Sequence, residues 1–338
     1  MRGDPKVVNN LELYALKHGY EVFKLAGGKS NFNYDPLGNL NNSGRVEAIM
    51  NMRKWSLDGS DAHYKTSTQL LLQKTVDEFS KIYRRQEQES IEKVLMKPSF
   101  TCGYYQWMRR YAPAREESDA YTTITKLLEL LITSSLSDMF LWKNGKTLDF
   151  DIIKNKKFLV IVSFISSNKE LATSFSSLMF RNLLDECTNN APAHNIFMYV
   201  DEFATLENPF IIKDTIEKGR SAKIATTLSM QDINQIVIQT NEAYLNSLLG
   251  TINTFIVYSG ATRNTAEKLA GVQIADIEIV LMNLRKPIDG RKPTAIYISK
   301  YPALNKRITA EVFRFTPYIY DMKAYKDTKK AKIGRAHV

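Results

Sequence analysis

Short apolar runs alternate with helix-length segments through the second half of this chain, and that alternation restricts its fold more than any other feature. Phe158–Ile165, Ile196–Val200, Lys223–Met230 and Asn253–Ser259 read as strands. The segments between them, about 170–187, 209–219 and 232–249, carry helical periodicity, and Thr265–Ala270 opens a further helix. Strands separated by helices of this length predict a mainly parallel, doubly wound α/β sheet, because parallel neighbours need a crossover. Thr294–Ser299 reads as a late, antiparallel edge strand. The Ile196–Val200 run suits a strand buried on both faces of such a sheet, and it leads directly into two carboxylates, Asp201 and Glu202. Open α/β sheets bind ligands at the carboxyl ends of their strands. An Asp there holds Mg²⁺ well through water, and a neighbouring Glu can polarise an attacking water. Two solvated acids closing a strand would give the same local sequence, so the surroundings have to decide.

The first part of the chain is organised differently. Residues 8–19 read as an amphipathic helix, Glu21–Leu25 as a short strand, and the Gly-, Asn- and Pro-rich stretch to about Ser43 as a loop. From there to about Lys143 the pattern is helical throughout, with Leu70–Leu72, Val76, Phe79, Ile82 and Tyr83 on one apolar face. The expected organisation is therefore an α/β domain in parts, 1–42 and 144–320, interrupted by an all-helical insertion at 43–143, with a basic tail at 321–338.

Gly28-Lys29-Ser30 superficially resembles a phosphate loop. Such a loop needs a second glycine five residues before the Gly-Lys pair, so that consecutive backbone N–H groups can wrap a phosphate. Phe23 occupies that position, and Pro36 follows where a helix should open. The tripeptide reads as a turn.

Lys and Arg outnumber Asp and Glu by 46 to 36, for a net charge of +10, which favours an anionic partner such as nucleic acid or an acidic membrane surface. Cys102 and Cys187 form no CxxC pair, which argues against a zinc site or disulfide framework and for a reducing compartment. His18, His63, His194 and His337 are scattered. No stretch is as long and apolar as a membrane span. Met1–Lys6 reads as interior sequence of a longer protein. Residues 332–338 translate a base string that resembles a sequencing adapter, which predicts a non-biological tail. Removing Lys332 and Arg335 lowers the net charge from +10 to +8 and leaves the chain basic.

Six motifs stand in a consistent order along the chain. They are Asp4-Pro5-Lys6; Phe32-Asn-Tyr-Asp-Pro-Leu37; Asp201-Glu202-Phe203; Gly219-Arg220; Gln231-Asp-Ile-Asn-Gln235; and Thr265-Ala266 followed by Gly271. Their order and spacing resemble the coupling ATPases of conjugative type IV secretion systems, the TraG/TraD-like group, over roughly residues 3–320. The chain departs from that pattern at Val7, where the family continues with Gly-Glu; at Asp35, where it has Asn; and at Asp232, where it has Ser.

The resemblance implies a RecA-like P-loop NTPase core with an inserted all-helical domain, in which Asp201-Glu202 is the Walker B motif. It implies ATP and Mg²⁺ as cofactors, and a phosphate loop and membrane helices upstream of Met1. The implied assembly is a homo-hexamer on the cytoplasmic face of the bacterial inner membrane. It would move DNA, or DNA bound to relaxase or relaxosome proteins, into the type IV secretion channel. In that setting Asp201 is the Mg²⁺-side ligand and Glu202 the catalytic carboxylate. Gln231 can hydrogen-bond both water and a γ-phosphate oxygen, or simply open a helix that Asp232 caps. Arg220 can act as an arginine finger on a neighbouring subunit, or complement a helix dipole. Tyr104–Tyr111, with Arg109 and Arg110, could stack on single-stranded bases, but aromatics at helical spacing favour a core reading, as does Tyr83-Arg84-Arg85. The competing functional readings are a noncatalytic DNA- or relaxase-docking module, and another hexameric DNA-pumping or secretion ATPase.

Overall fold

Pro5 opens the first helix, at a position where its missing N–H costs nothing. The computed structural model describes residues 5–271 apart from 27, 56–58, 60, 93–98, 112–117, 135, 142–143, 145, 150–155, 165–168, 191, 207–209 and 259–261, together with 294–299 and 309–314. Asp4 and the whole of 321–338, including 332–338, lie outside the described residues. Two compact units divide the rest: one holds the residues up to Met198 and Leu206–Ala225, the other Tyr199–Thr205 and the residues from Thr226 onward.

In the first unit, helix α1 (Pro5–Lys17) ends before Gly19, whose φ of +75° turns the chain into strand β1 (Glu21–Ala26). Val8 and Ala15 of α1 pack on Val22 of β1 and on Ile161 of strand β3 (Phe158–Ser163). β1 and β3 are parallel, in register from Glu21↔Phe158 to Ala26↔Ser163. Gly28 (φ +74°) turns β1 back into the short antiparallel strand β2 (Lys29–Ser30). Gly28 is thus part of a hairpin turn and Lys29-Ser30 its return strand.

From Asn42 to Phe140 the described elements are all helices: α2 (Asn42–Met50), α3 (Ala62–Glu92), α4 (Phe100–Met108), α5 (Ser118–Ile132) and the single turn α6 (Ser137–Phe140). Side chains cap two of them, Asn41 accepting from the Gly44 N–H at 2.7 Å and Ser99 accepting from the Cys102 N–H at 3.3 Å. Phe79 of α3 lies at the centre of an aromatic cluster, with ring centroids 5.0 Å from Phe100, 5.6 Å from Tyr104 and 5.8 Å from Trp107. The buried Tyr104 hydroxyl meets the Thr75 hydroxyl at 2.7 Å. Arg109 and Arg110 are exposed, so this aromatic segment builds core, and so does Tyr83 beside the exposed Arg84 and Arg85. Arg45 is buried with its guanidinium 3.8 Å from the Phe100 ring centroid, donating to the Leu37 and Gly38 carbonyls and to Ser80 and Asn42. Burial pulls its pKa below the ordinary arginine value, partly offset by Tyr83 and Asp35.

The Phe32–Leu37 loop is tied to these helices through Asp35, whose buried carboxylate accepts from the Phe100 N–H at 2.6 Å, the Thr101 N–H at 3.2 Å and the Thr101 hydroxyl. Helix α7 (Lys169–Asn189) holds the same loop from another side: Asn182 donates to the Tyr34 hydroxyl at 3.0 Å and to the Pro36 carbonyl. Helix α8 (Phe210–Gly219) packs on α7. Cys102 and Cys187 are both buried, and burial pushes their thiols up to about 11 and about 12, so both stay protonated and inert at neutral pH.

Strands β4 (Ile196–Val200) and β5 (Ile224–Leu228) pair side by side. Ile196 N–H donates to the Lys223 carbonyl and Ser229 N–H to the Val200 carbonyl, a parallel sense. The expectation that β4 is buried on both faces does not hold. Met198 and Val200 point inward, whereas Phe197 and Tyr199 are 83% and 62% exposed, because the described elements cover only one face of this pair.

In the second unit, the helix expected over 232–249 is two. Helix α9 (Asn234–Gln239) stops at Thr240, and Asn241, in an extended conformation, caps helix α10 (Glu242–Thr251) by accepting from the Tyr244 N–H at 2.8 Å. Strand β6 (Thr254–Tyr258) and helix α11 (Arg263–Gly271) follow. Strand β7 (Thr294–Ser299) is antiparallel, as expected, but it is not an edge: it lies between β6 and a further strand, β8 (Thr309–Arg314), antiparallel to both. Among the described residues no helix is long and apolar enough to cross a membrane.

Candidate active site

β4 ends on the buried Val200, and the chain then turns through Asp201 and Glu202 into a 3-10 turn, Phe203–Thr205. Phe203 is fully buried and anchors the far side of the turn. Glu202 has φ +48°, a left-handed conformation that costs an L-residue with a long side chain about 1–2 kcal/mol. The turn holds that conformation because residues on both sides of it are fixed to the end of β5. Ser229 donates its N–H to the Val200 carbonyl at 2.9 Å and accepts from the Phe203 N–H at 2.9 Å. Its hydroxyl donates to Asp201 Oδ1, also at 2.9 Å. Strain of this size at a carboxylate, sustained by its surroundings, is typical of functional turns.

The structure brings three of the four candidate residues together. Asp201 and Glu202 are adjacent and half-exposed, and Gln231 Nε2 reaches Glu202 Oε1 at 3.4 Å. Asp232 accepts from the Asn234 N–H at 2.9 Å, but the N-cap position of α9 is Ile233, without a side-chain cap bond, and the Gln231 amide faces Glu202. The fourth, Arg220, belongs to the other unit. It follows the last residue of α8, is exposed, and makes no side-chain ion pair among the described residues. The glycine before it has a packing reason of its own. A Cβ on Gly219 would meet the Ile224 carbonyl oxygen at 2.8 Å, so only glycine lets α8 end this close to the start of β5. Farther along, Thr265 of the Thr-Ala…Gly motif lies in the first turn of α11, where its N–H donates to the Thr262 hydroxyl at 3.2 Å, and Asn264 Nδ2 donates to Asn234 Oδ1 of α9 at 2.9 Å. Lys6 belongs to α1, but its side chain lies outside the described residues.

Sequence reasoning missed Ser229, reading it only as part of a strand. The signal was present: a hydroxyl residue at the carboxyl end of the strand that follows the acid-bearing one.

The donor set suits a loosely held hard cation. Among the described residues no three His, Cys, Asp or Glu side chains form a metal cage. One carboxylate whose Oδ1 is fixed by a serine, beside a second carboxylate, instead fits Mg²⁺, which keeps most of its waters and takes one or two protein oxygens together with phosphate.

Known proteins give this geometry its family. No curated protein matches the chain. Among solved structures it is similar to the plasmid coupling protein TrwB in complex with ADP and Mg²⁺, at 13% identity and a TM-score of 0.58, covering 96% of this chain and 85% of that one. TrwB with a non-hydrolysable GTP analogue is similar at 15% identity and a TM-score of 0.55, with the same coverage of 96% and 85%. VirB4 of Thermoanaerobacter pseudethanolicus is similar at 12% identity and a TM-score of 0.56, covering 91% and 79%. At these identities the likeness shows a shared fold alone, a mixed α/β fold with many helices. The family model for the type IV secretion-system coupling protein DNA-binding domain matches residues 38–285. With that match running through both the helical segment and the acid turn, the chain belongs to the family of type IV secretion-system coupling protein DNA-binding domains.

Proposed function

We propose that this chain is the DNA-handling and nucleotide-hydrolysing part of a coupling ATPase that drives DNA, alone or with bound relaxase or relaxosome proteins, into a type IV secretion channel. The observation that carries the proposal is the acid turn: Asp201 and Glu202 at the carboxyl end of a parallel strand, clamped by Ser229, with the Gln231 amide on Glu202. Asp201 would hold Mg²⁺, and the cation would supply charge neutralisation on the phosphates when bound. Glu202 orients and polarises the attacking water, and Gln231 shares that water by hydrogen bonding from the other side. The assembly is a homo-hexamer on the cytoplasmic face of the inner membrane, and its basic surface meets DNA largely without sequence preference. TrwB, which shares the fold, is seen with ADP and Mg²⁺.

Arg220 is exposed and without an ion pair among the described residues, so it is available to a phosphate held by a neighbouring subunit. Mixing full-length wild-type protein with Arg220→Ala in equal amounts tests this. In a ring whose sites fire in turn, one site lacking its neighbour's finger stalls the others, so ATP turnover of the mixture falls well below half the wild-type rate. Turnover equal to the simple average of the two proteins overturns that coupled-ring arrangement, and no turnover by the wild-type protein favours a noncatalytic docking module.

A further inference from the structure

We propose that Ser229 is a positioning residue for nucleotide hydrolysis: its hydroxyl sets the Asp201 carboxylate while its backbone sets the turn that carries Glu202. The inference deepens the functional reading above and rests on it. One residue makes three bonds to the acid turn. Its N–H and C=O hold Val200 and Phe203, and its Oγ holds Asp201 Oδ1 at 2.9 Å. The division of labour follows from the chemistry. The two backbone bonds bracket Glu202 and keep it at φ +48° whatever side chain residue 229 carries. The hydroxyl bond fixes one oxygen of the Asp201 carboxylate. It engages Oδ1 and restrains rotation of the carboxylate that would face a hydrated cation. A carboxylate free to rotate would spread its charge over several orientations, so a cation bound through it would lose affinity as well as orientation.

Backbone and side-chain contributions can therefore be separated by mutation. Ser229→Ala removes only the Oγ bond and leaves both backbone bonds to hold the fold. Ser229→Thr restores a hydroxyl at the same position.

The test uses full-length protein and two readouts: turnover of Mg²⁺–ATP, and the affinity of a fluorescent non-hydrolysable ATP analogue measured in Mg²⁺ and again in EDTA. Partners one layer out from a metal typically change affinity or activity by about 10–100-fold. Ser229→Ala is expected to lower kcat, and to shrink the affinity gained on adding Mg²⁺, by a factor in that range. Affinity in EDTA stays at the wild-type value, and Ser229→Thr recovers both quantities. Wild-type behaviour of Ser229→Ala in both readouts overturns the inference, as does an equal loss of affinity with and without Mg²⁺, which would mean general collapse of the site. In either case a wild type with normal Mg²⁺-dependent binding leaves the functional reading standing. A wild type whose affinity does not respond to Mg²⁺ overturns both.

Discussion

Glu202→Gln in the full-length protein is expected to abolish measurable ATP turnover, a loss of about 10²–10⁴-fold, while nucleotide binding survives. The two side chains have the same length and branching, so the left-handed backbone at residue 202 and its bracketing bonds to Ser229 are undisturbed. The Gln oxygen can still accept from Gln231 Nε2. Only the negative charge that polarises water is lost, and with it the interaction that strengthens as the water attacks. Phosphate release and titration with a fluorescent nucleotide separate the two effects. Normal hydrolysis by the variant removes Glu202 from the chemistry.

Asp35→Ala should destabilise the fold by about 3–5 kcal/mol, because it strips partners from several buried donors at once. The Asp35 side chain accepts two N–H groups from the first turn of α4 and the Thr101 hydroxyl, so it neutralises orphan donors at a helix N-terminus from a loop 65 residues away. Space for it depends on Gly38, where a Cβ would meet Asp35 Oδ2 at 2.7 Å. Arg45 closes the other side of the loop through the Leu37 and Gly38 carbonyls. Asp35→Asn keeps acceptor capacity and should cost less. Urea unfolding of the three proteins gives the order wild type, Asn, Ala. Equal midpoints for Ala and wild type would show that the loop–helix bonds contribute nothing. The motif residue at this position, Asp where the resembled family has Asn, is thus explained by packing rather than by nucleotide chemistry.

Local patterns were legible in the sequence wherever one strand or one helix face decided them. The apolar runs at 21–25, 158–165, 196–200, 223–230 and 253–259 all became strands, displaced by at most two residues at their ends. The phosphate-loop lookalike was dismissed on Phe23 and Pro36, and it lies in a hairpin, with Lys29-Ser30 as its return strand. What failed depended on partners distant in sequence. The exposed face of β4, at Phe197 and Tyr199, follows from which elements cover the sheet, and an apolar run carries no information on that. The position of β7 within its sheet required β8, whose Thr-Ala-Glu-Val-Phe-Arg sequence is a weak strand signal. The break at Thr240–Asn241 was marked by a good capping residue inside an otherwise continuous helical pattern. In the candidate site, the acid pair and Gln231 could be read from the strand ends, while Ser229 acquires its meaning only from three bonds reaching across to the neighbouring strand.

The central claim is that the acid turn at the end of β4 splits nucleotide in a protein that works on DNA. Its most direct test is the initial rate of phosphate release from Mg²⁺–ATP by the full-length wild-type protein, measured with and without added DNA. The account predicts Mg²⁺-dependent turnover that rises when DNA is present. DNA binding with no hydrolysis under either condition would contradict it.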